Sequence, residues 1–174
     1  IFTNHFSIND AGGAIYLLNS QLTSSNSQVY NSTSTFGAAI TSLNSKITLN
    51  KFYAENNTAS YEGGAIYAIY NAITCIESTF ISNHARNGGA IYGDDLKLFE
   101  LENNHFISNT ASQYAGAVFS MLNAEDKVFY NVYENNHASI ENDFYQSNFT
   151  FVLDSDGNYT LYYSDYDYYG FIPS

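Results

Sequence analysis

Gly93-Asp94-Asp95 puts two carboxylates side by side, the arrangement with the clearest chemical use in this sequence. An inverting glycosidase works with two such groups, spaced to admit a water molecule between acid, base and sugar. Polysaccharide hydrolases that use adjacent Asp residues also carry an Asn-Thr-Asp, a Gly-His-Gly and an Arg-x-Lys, and none of these is present. A calcium-dependent lyase would want a basic residue over its metal, and Arg86 is the sole arginine. Asp94-Asp95 is therefore read as a turn. Asp154-Ser155-Asp156-Gly157-Asn158 resembles the opening of a calcium loop, with oxygens at alternate positions in Asp154, Asp156 and Asn158. It has no bidentate Glu downstream, and a hairpin turn is the preferred reading. No cofactor is expected.

The remaining reactive side chains have plainer readings. His84 and His137 fall where Thr58 and Thr110 stand in neighbouring repeats; two repeats apart, they are separated by about 10 Å if stacked, too far for one metal. His5 and His105 each precede a Phe and read as exposed turn residues. Cys75 alternates with Ile73 and Glu77 and is expected to pack as a small apolar residue. Asn31, Asn56, Asn148 and Asn158 head Asn-x-Ser/Thr sequons and are the candidate glycosylation sites, Asn158 at a turn tip being the best acceptor.

The elements that hold these residues are set by a repeat. Gly-Gly-Ala-Ile-Tyr occurs at 12–16, 63–67 and 88–92, with weaker copies beginning at 37, 115 and 142, so the steps are 25, 26, 25, 27 and 27. A second series, Asn31, Asn57, Asn83, Asn109 and Asn136, keeps step with the first, and Asn9 with Ala11 heads it. An aromatic stands three residues before several of these Asn residues: Phe6, Phe80, Phe106 and Tyr133. Each period contains three short runs rich in β-branched and aromatic residues, separated by Asn, Ser and Gly turns, and none with helical periodicity. Propeller blades need a longer repeat of about 40 residues. The fold expected is an all-β, right-handed parallel β-helix of three sheets and about six coils of about 26 residues. It occupies residues 1–146 and is closed by a C-terminal hairpin cap over 147–174, in which Phe149, Phe151, Leu161 and Tyr163 cover the open end.

Stacking assigns roles to the two ladders. Inward Asn side chains can bond the backbone of the coils above and below. Ile15, Ile40, Ile66, Ile91 and Val118 should fill the interior, which sends Tyr16, Tyr67, Tyr92 and Phe119 outward. Asn26 and Asn123, off the ladder, are expected in exposed turns. The opening residues, Ile1 to Phe6, read as the middle of a repeat, so a longer parent chain with further repeats is expected.

With 5 Lys and Arg against 17 Asp and Glu, the net charge of −12 argues against nucleic acid and anionic membrane surfaces. No apolar run approaches the ~18 residues of a spanning helix. The single Cys leaves packing to hold the fold.

The pairing of GGA(I/V) with FxxN resembles polymorphic outer membrane protein repeats, the repeats of chlamydial autotransporter passenger domains. The motifs meet at Phe6-Ser7-Ile8-Asn9 with Gly12-Gly13-Ala14-Ile15, at Phe80-Ile81-Ser82-Asn83 with Gly88-Gly89-Ala90-Ile91, and at Phe106-Ile107-Ser108-Asn109 with Ala115-Gly116-Ala117-Val118. The resemblance implies a non-enzymatic adhesin-like module at the cell surface or outside the cell, presenting a β-helix face to a protein or glycan. The alternatives are a β-helical carbohydrate-active enzyme and an architectural subunit of a surface filament or coat.

Overall fold

The structure is a computed structural model that describes residues 1–7, 12–121, 126–153 and 159–166. For 126, 147–153 and 159–166 the description covers backbone and strand pairing alone. The described residues form a parallel β-solenoid of about five coils, with no helix among them. One coil runs Ile66–Ile69, Ala72–Ile76, Thr79–Ile81 and His84–Asn87 before the next begins at Ile91–Asp94. Equivalent strands pair in parallel across coils. Ile66 lies beside Ile40 and Ile91, Ile73 beside Ile47 and Phe99, and Phe80 beside Ala54 and Phe106.

Four of the coils thus have four strands where three were expected. The fourth sheet holds Thr33–Ser34, Thr58–Ala59, His84–Asn87 and Thr110–Tyr114. Two of those strands are two residues long, too short for alternation to reveal, and directly after an Asn they read as turn. The sixth expected repeat copy, at 142–146, is absorbed into the strand Phe144–Leu153. That strand pairs in parallel with Val118–Met121 over its first residues and then antiparallel with Tyr159–Tyr166. The hairpin therefore extends the edge of one sheet, with Phe149 beside Tyr163 and Phe151 beside Leu161.

The interior follows the pleat. Ile40, Ile66, Ile91 and Val118 are fully buried, as are Ile47, Leu49, Ile73, Phe99 and Leu101 on the next face, and Ile15 at the first coil is half-buried. Phe80, Phe106 and Tyr133 stack ring on ring inside, at 5.1 and 5.2 Å and within 9° of parallel. Phe6 does not join them. It bridges Thr33 in the fourth sheet and is 69% exposed, while Phe2 pairs with Val29 at the head of the aromatic column. The left-handed corner residue Asn4 matches Asn31, and this sets the first coil's register four residues ahead of the motif.

No helix among the described residues is long and apolar enough to cross a membrane.

Candidate functional site

Three of the four corners in a coil are built the same way, and the corners fix which side chains face out. A residue with φ near +50° turns the chain, and the residue after it points inward as a rung. At the corner after the Tyr53–Glu55 sheet the turning residues are Asn31, Asn56, Ser82, Ser108 and Asn135. The rungs are Ser32, Asn57, Asn83, Asn109 and Asn136, all buried. Asn83 shows the bonding. Its Nδ2 donates to the Ala54 carbonyl of the coil before at 3.0 Å and to Asn109 Oδ1 at 3.0 Å. Its Oδ1 accepts from the Asn57 backbone amide at 3.1 Å and from Asn57 Nδ2 at 3.0 Å. Asn57, Asn109 and Asn136 repeat the pattern toward Val29, Phe80 and Phe106.

Asn31 stands one place off this ladder. It is exposed at φ +52°, and Ser32 takes the rung, its amide donating to Asn57 Oδ1. Adjacent Asn and Ser both fit a 25- or 26-residue step, and pairing of Thr33 with Thr58 decides between them. Two further rung columns go beyond the sequence expectation. Ser45 and Asn71 line one corner, and Ser78, Asn104 and Asn131 another. Serine at these places folds back on its own coil, as in Ser78 Oγ to the Ile76 carbonyl, where Asn reaches the coil before. The 27-residue step from Asn104 to Asn131 was the visible signal.

With the rungs turned in, the outer face of the seven-stranded sheet carries a stripe of rings. Tyr67 stacks on Tyr92 at 5.5 Å, Tyr92 on Phe119 at 4.8 Å and 2°, and Phe119 on Tyr145 at 5.1 Å. Thr41 interrupts the column in its coil, where Phe36 supplies the ring instead, 4.9 Å from Tyr67 and 5.6 Å from Tyr61. Tyr16, at the first coil, is exposed. A second outward row runs beside the rings: Leu18, Leu43, Ile69, Asp94 and Met121, in register. Arg86 donates to Glu62 at 2.8 Å and lies 5.2 Å from the centre of the Tyr61 ring. Burial first, then the Glu62 and Asp94 charges, hold the Tyr67 phenol up at about 12; burial with Asp94 and Glu62 raises Tyr92 as well. Asp94 is itself raised above the usual carboxylate range, by burial first and then by Asp95.

The other sequence candidates are dispersed. Asp94 ends its strand facing out, and Asp95 is the exposed turning residue at φ +49°. His84 and His137 are exposed on either side of Thr110 in the fourth sheet, with His84 Nδ1 2.8 Å from Thr110 Oγ1. Asn31 and Asn56 are exposed at one corner on adjacent coils. Asn148 lies in the strand Phe144–Leu153 with its side chain outside the described residues. Asn9, Asn123, Asp154, Asp156 and Asn158 lie outside them altogether. Among the described residues no group of three or more His, Cys, Asp or Glu converges to hold a metal.

Cys75 is fully buried between Leu49 and Leu101, and burial pushes its thiol up to about 12 despite a hydrogen bond with Ser78. A thiolate is what reacts, so a disulfide reagent at neutral pH should leave Cys75 untouched in the folded chain and label it fully in denaturant. Labelling of the folded protein at the denatured rate would show that the interior is open.

Residues 55–69 and 77–94 match the model of the Chlamydia polymorphic membrane protein (Chlamydia_PMP) repeat. No curated protein and no solved structure matches the chain. The matched stretches hold the Asn57 and Asn83 rungs and two of the three Gly-Gly-Ala-Ile-Tyr motifs with their corners. These two stretches, in adjacent coils, are thus similar to the polymorphic membrane protein repeat.

Proposed function

We infer that the chain is a non-enzymatic adhesion module, displayed at the cell surface or outside the cell, which engages a protein or glycan through the outer face of its seven-stranded sheet. The observation that carries this is the outward stripe from Phe36 through Tyr67, Tyr92 and Phe119 to Tyr145, beside Leu43, Ile69 and Met121. Aromatic residues, Met and Arg are the side chains enriched where proteins meet, and this face gathers all three. The repeat family supports a surface location, since its members are outer-membrane or surface proteins. The solenoid supplies rigidity: each coil adds a copy of the face at the strand spacing of about 4.8 Å.

The test is retention of the folded chain on a panel of intact cells and matrix proteins, against the heat-unfolded chain and against turnover of a polysaccharide panel. Saturable binding by the folded chain alone is expected. Release of sugar products that Asp95→Asn abolishes would replace this reading with the enzymatic one.

A further inference from the structure

We propose that the face around Asp94 is a docking site for a protein segment that sets a lysine or arginine on the Asp94 carboxylate and an apolar side chain against Ile69 or Met121. This deepens the adhesion reading and rests on it. Three observations carry it.

The first is what the stripe has left to offer. Tyr67, Tyr92, Phe119 and Tyr145 lie face to face at 4.8–5.5 Å, so most ring faces are spent on one another. A sugar stacking on an aromatic residue needs an open face. Tyr67, Tyr92 and Tyr145 are only partly exposed and Phe119 is buried, which suits a peptide's polar and apolar side chains better than a pyranose.

The second is Asp94 itself. It interrupts an otherwise apolar row, between Ile69 and Met121 in register, on the same side of its strand as Tyr92. The Asp95 backbone amide donates to its carboxylate, but among the described residues its buried Oδ1 has no hydrogen-bond partner, and the ion pairs Lys51–Glu77 and Arg86–Glu62 both leave it out. A carboxylate already half stripped of water gains more from an arriving cation than a fully solvated one does, because the screening is weaker.

The third is a precedent within the molecule. Arg86 is held against this face by Glu62, with its guanidinium over the Tyr61 ring. The face thus already accepts one cation on a carboxylate, and Asp94 sets a second carboxylate on it that neither of the two ion pairs uses. The net charge of −12 favours approach by a basic partner.

The experiment uses the full chain and a fluorescent peptide of alternating lysine and valine, about eight residues long, with a glutamate–valine peptide beside it. Asp94→Asn and Asp95→Asn remove the same charge one residue apart, the second from an exposed turn whose positive φ Asn tolerates. The lysine peptide is expected to bind wild type and Asp95→Asn equally, and Asp94→Asn about tenfold more weakly. The glutamate peptide should bind none of them. Equal weakening by both substitutions would mean general attraction to an acidic surface and would overturn the proposal. So would stripe-dependent retention on neutral glycans with no peptide binding, or a dimer in sedimentation that occludes the peptide. Cell binding by Asp94→Asn equal to that of wild type would sink this inference and leave the adhesion reading standing. Wild type that binds no cell or matrix protein would sink the adhesion reading itself.

Discussion

Asn83→Leu should lower the urea midpoint far more than its size suggests. The substitution removes a side chain that makes four hydrogen bonds in a fully buried position. The Asn57 backbone amide then has no acceptor, and the Ala54 carbonyl loses its donor. A buried polar group left unpaired costs about 1–3 kcal/mol, so the two together imply about 2–6 kcal/mol. Leucine refills the volume but offers neither donor nor acceptor. The proper control is Asn26→Gly. Asn26 is exposed at φ +53°, so a leucine there would add left-handed strain, while glycine adopts that φ freely. The glycine variant should stay within about 0.5 kcal/mol of wild type. Equal midpoints for the two variants would mean that the ladder does not stabilise the stack.

Gly89→Ala should be worse. In the Gly-Gly-Ala-Ile motif the two glycines do different work. Gly88 sits at φ +61° and turns the corner. Gly89 has ordinary φ, but a Cβ there would lie 2.1 Å from the Gly116 carbonyl oxygen and 2.6 Å from that of Thr110. Both atoms are backbone of the next coil, whose register is fixed by Ile91 beside Val118 and His84 beside Thr110. Neither can yield without breaking ladder bonds. The expected loss is at or above the upper end of the ~1–3 kcal/mol usual for overpacking, and failure to fold is the extreme form of it. Gly93→Ala is the matched comparison, since its Cβ would meet the tip of the Leu96 side chain at 2.7 Å. Ser42, Ala68 and Ser120 already fill that inward row in other coils. It should cost no more than about 1 kcal/mol. Thermal melts followed by circular dichroism would rank the three proteins, and a Gly89→Ala melt coincident with wild type would contradict the coil spacing.

These two residues also show why so much of the fold was legible. A solenoid repeats its physical problem in every coil, so a corner glycine and an inward Asn recur at the coil length and announce themselves as a period. The parallel sheets, the interior Ile column and the outward Tyr column all follow from that period plus strand alternation. What the period could not give is anything decided by a single residue of register. Asn31 and Ser32 were interchangeable in spacing, and the pairing of Thr33 with Thr58 put Ser32 inside. Phe6 carried the right motif at the wrong place, because Asn4 had already turned the first coil. The fourth sheet was hidden in two-residue strands. The rungs at Ser45, Asn71 and Ser78 mix two residue types with different reach, which blurs their column.

The outer face was half legible for a related reason. Alternation sends Tyr67 and Tyr92 outward, but whether their rings face solvent or one another depends on stacking at about 5 Å between coils. Phe36 and Tyr61 reach the stripe from corner segments, with no ladder of their own. Asp94 was read with Asp95 as one acidic turn. The corner divides them, giving Asp95 to solvent and Asp94 to the aromatic face.

The central claim is that one face of this solenoid, and no other, meets the partner. Cell binding by Tyr67→Ser/Tyr92→Ser, set against Tyr30→Ser/Tyr53→Ser, tests it directly. The second pair removes neighbouring rings, 5.5 Å apart, from the outer side of the six-stranded sheet. Both double variants lose the same atoms and keep every rung and corner glycine, and their melts would verify that both remain folded. The account predicts binding lost in the first and retained in the second. Binding retained in the first, or lost equally in both, would contradict it.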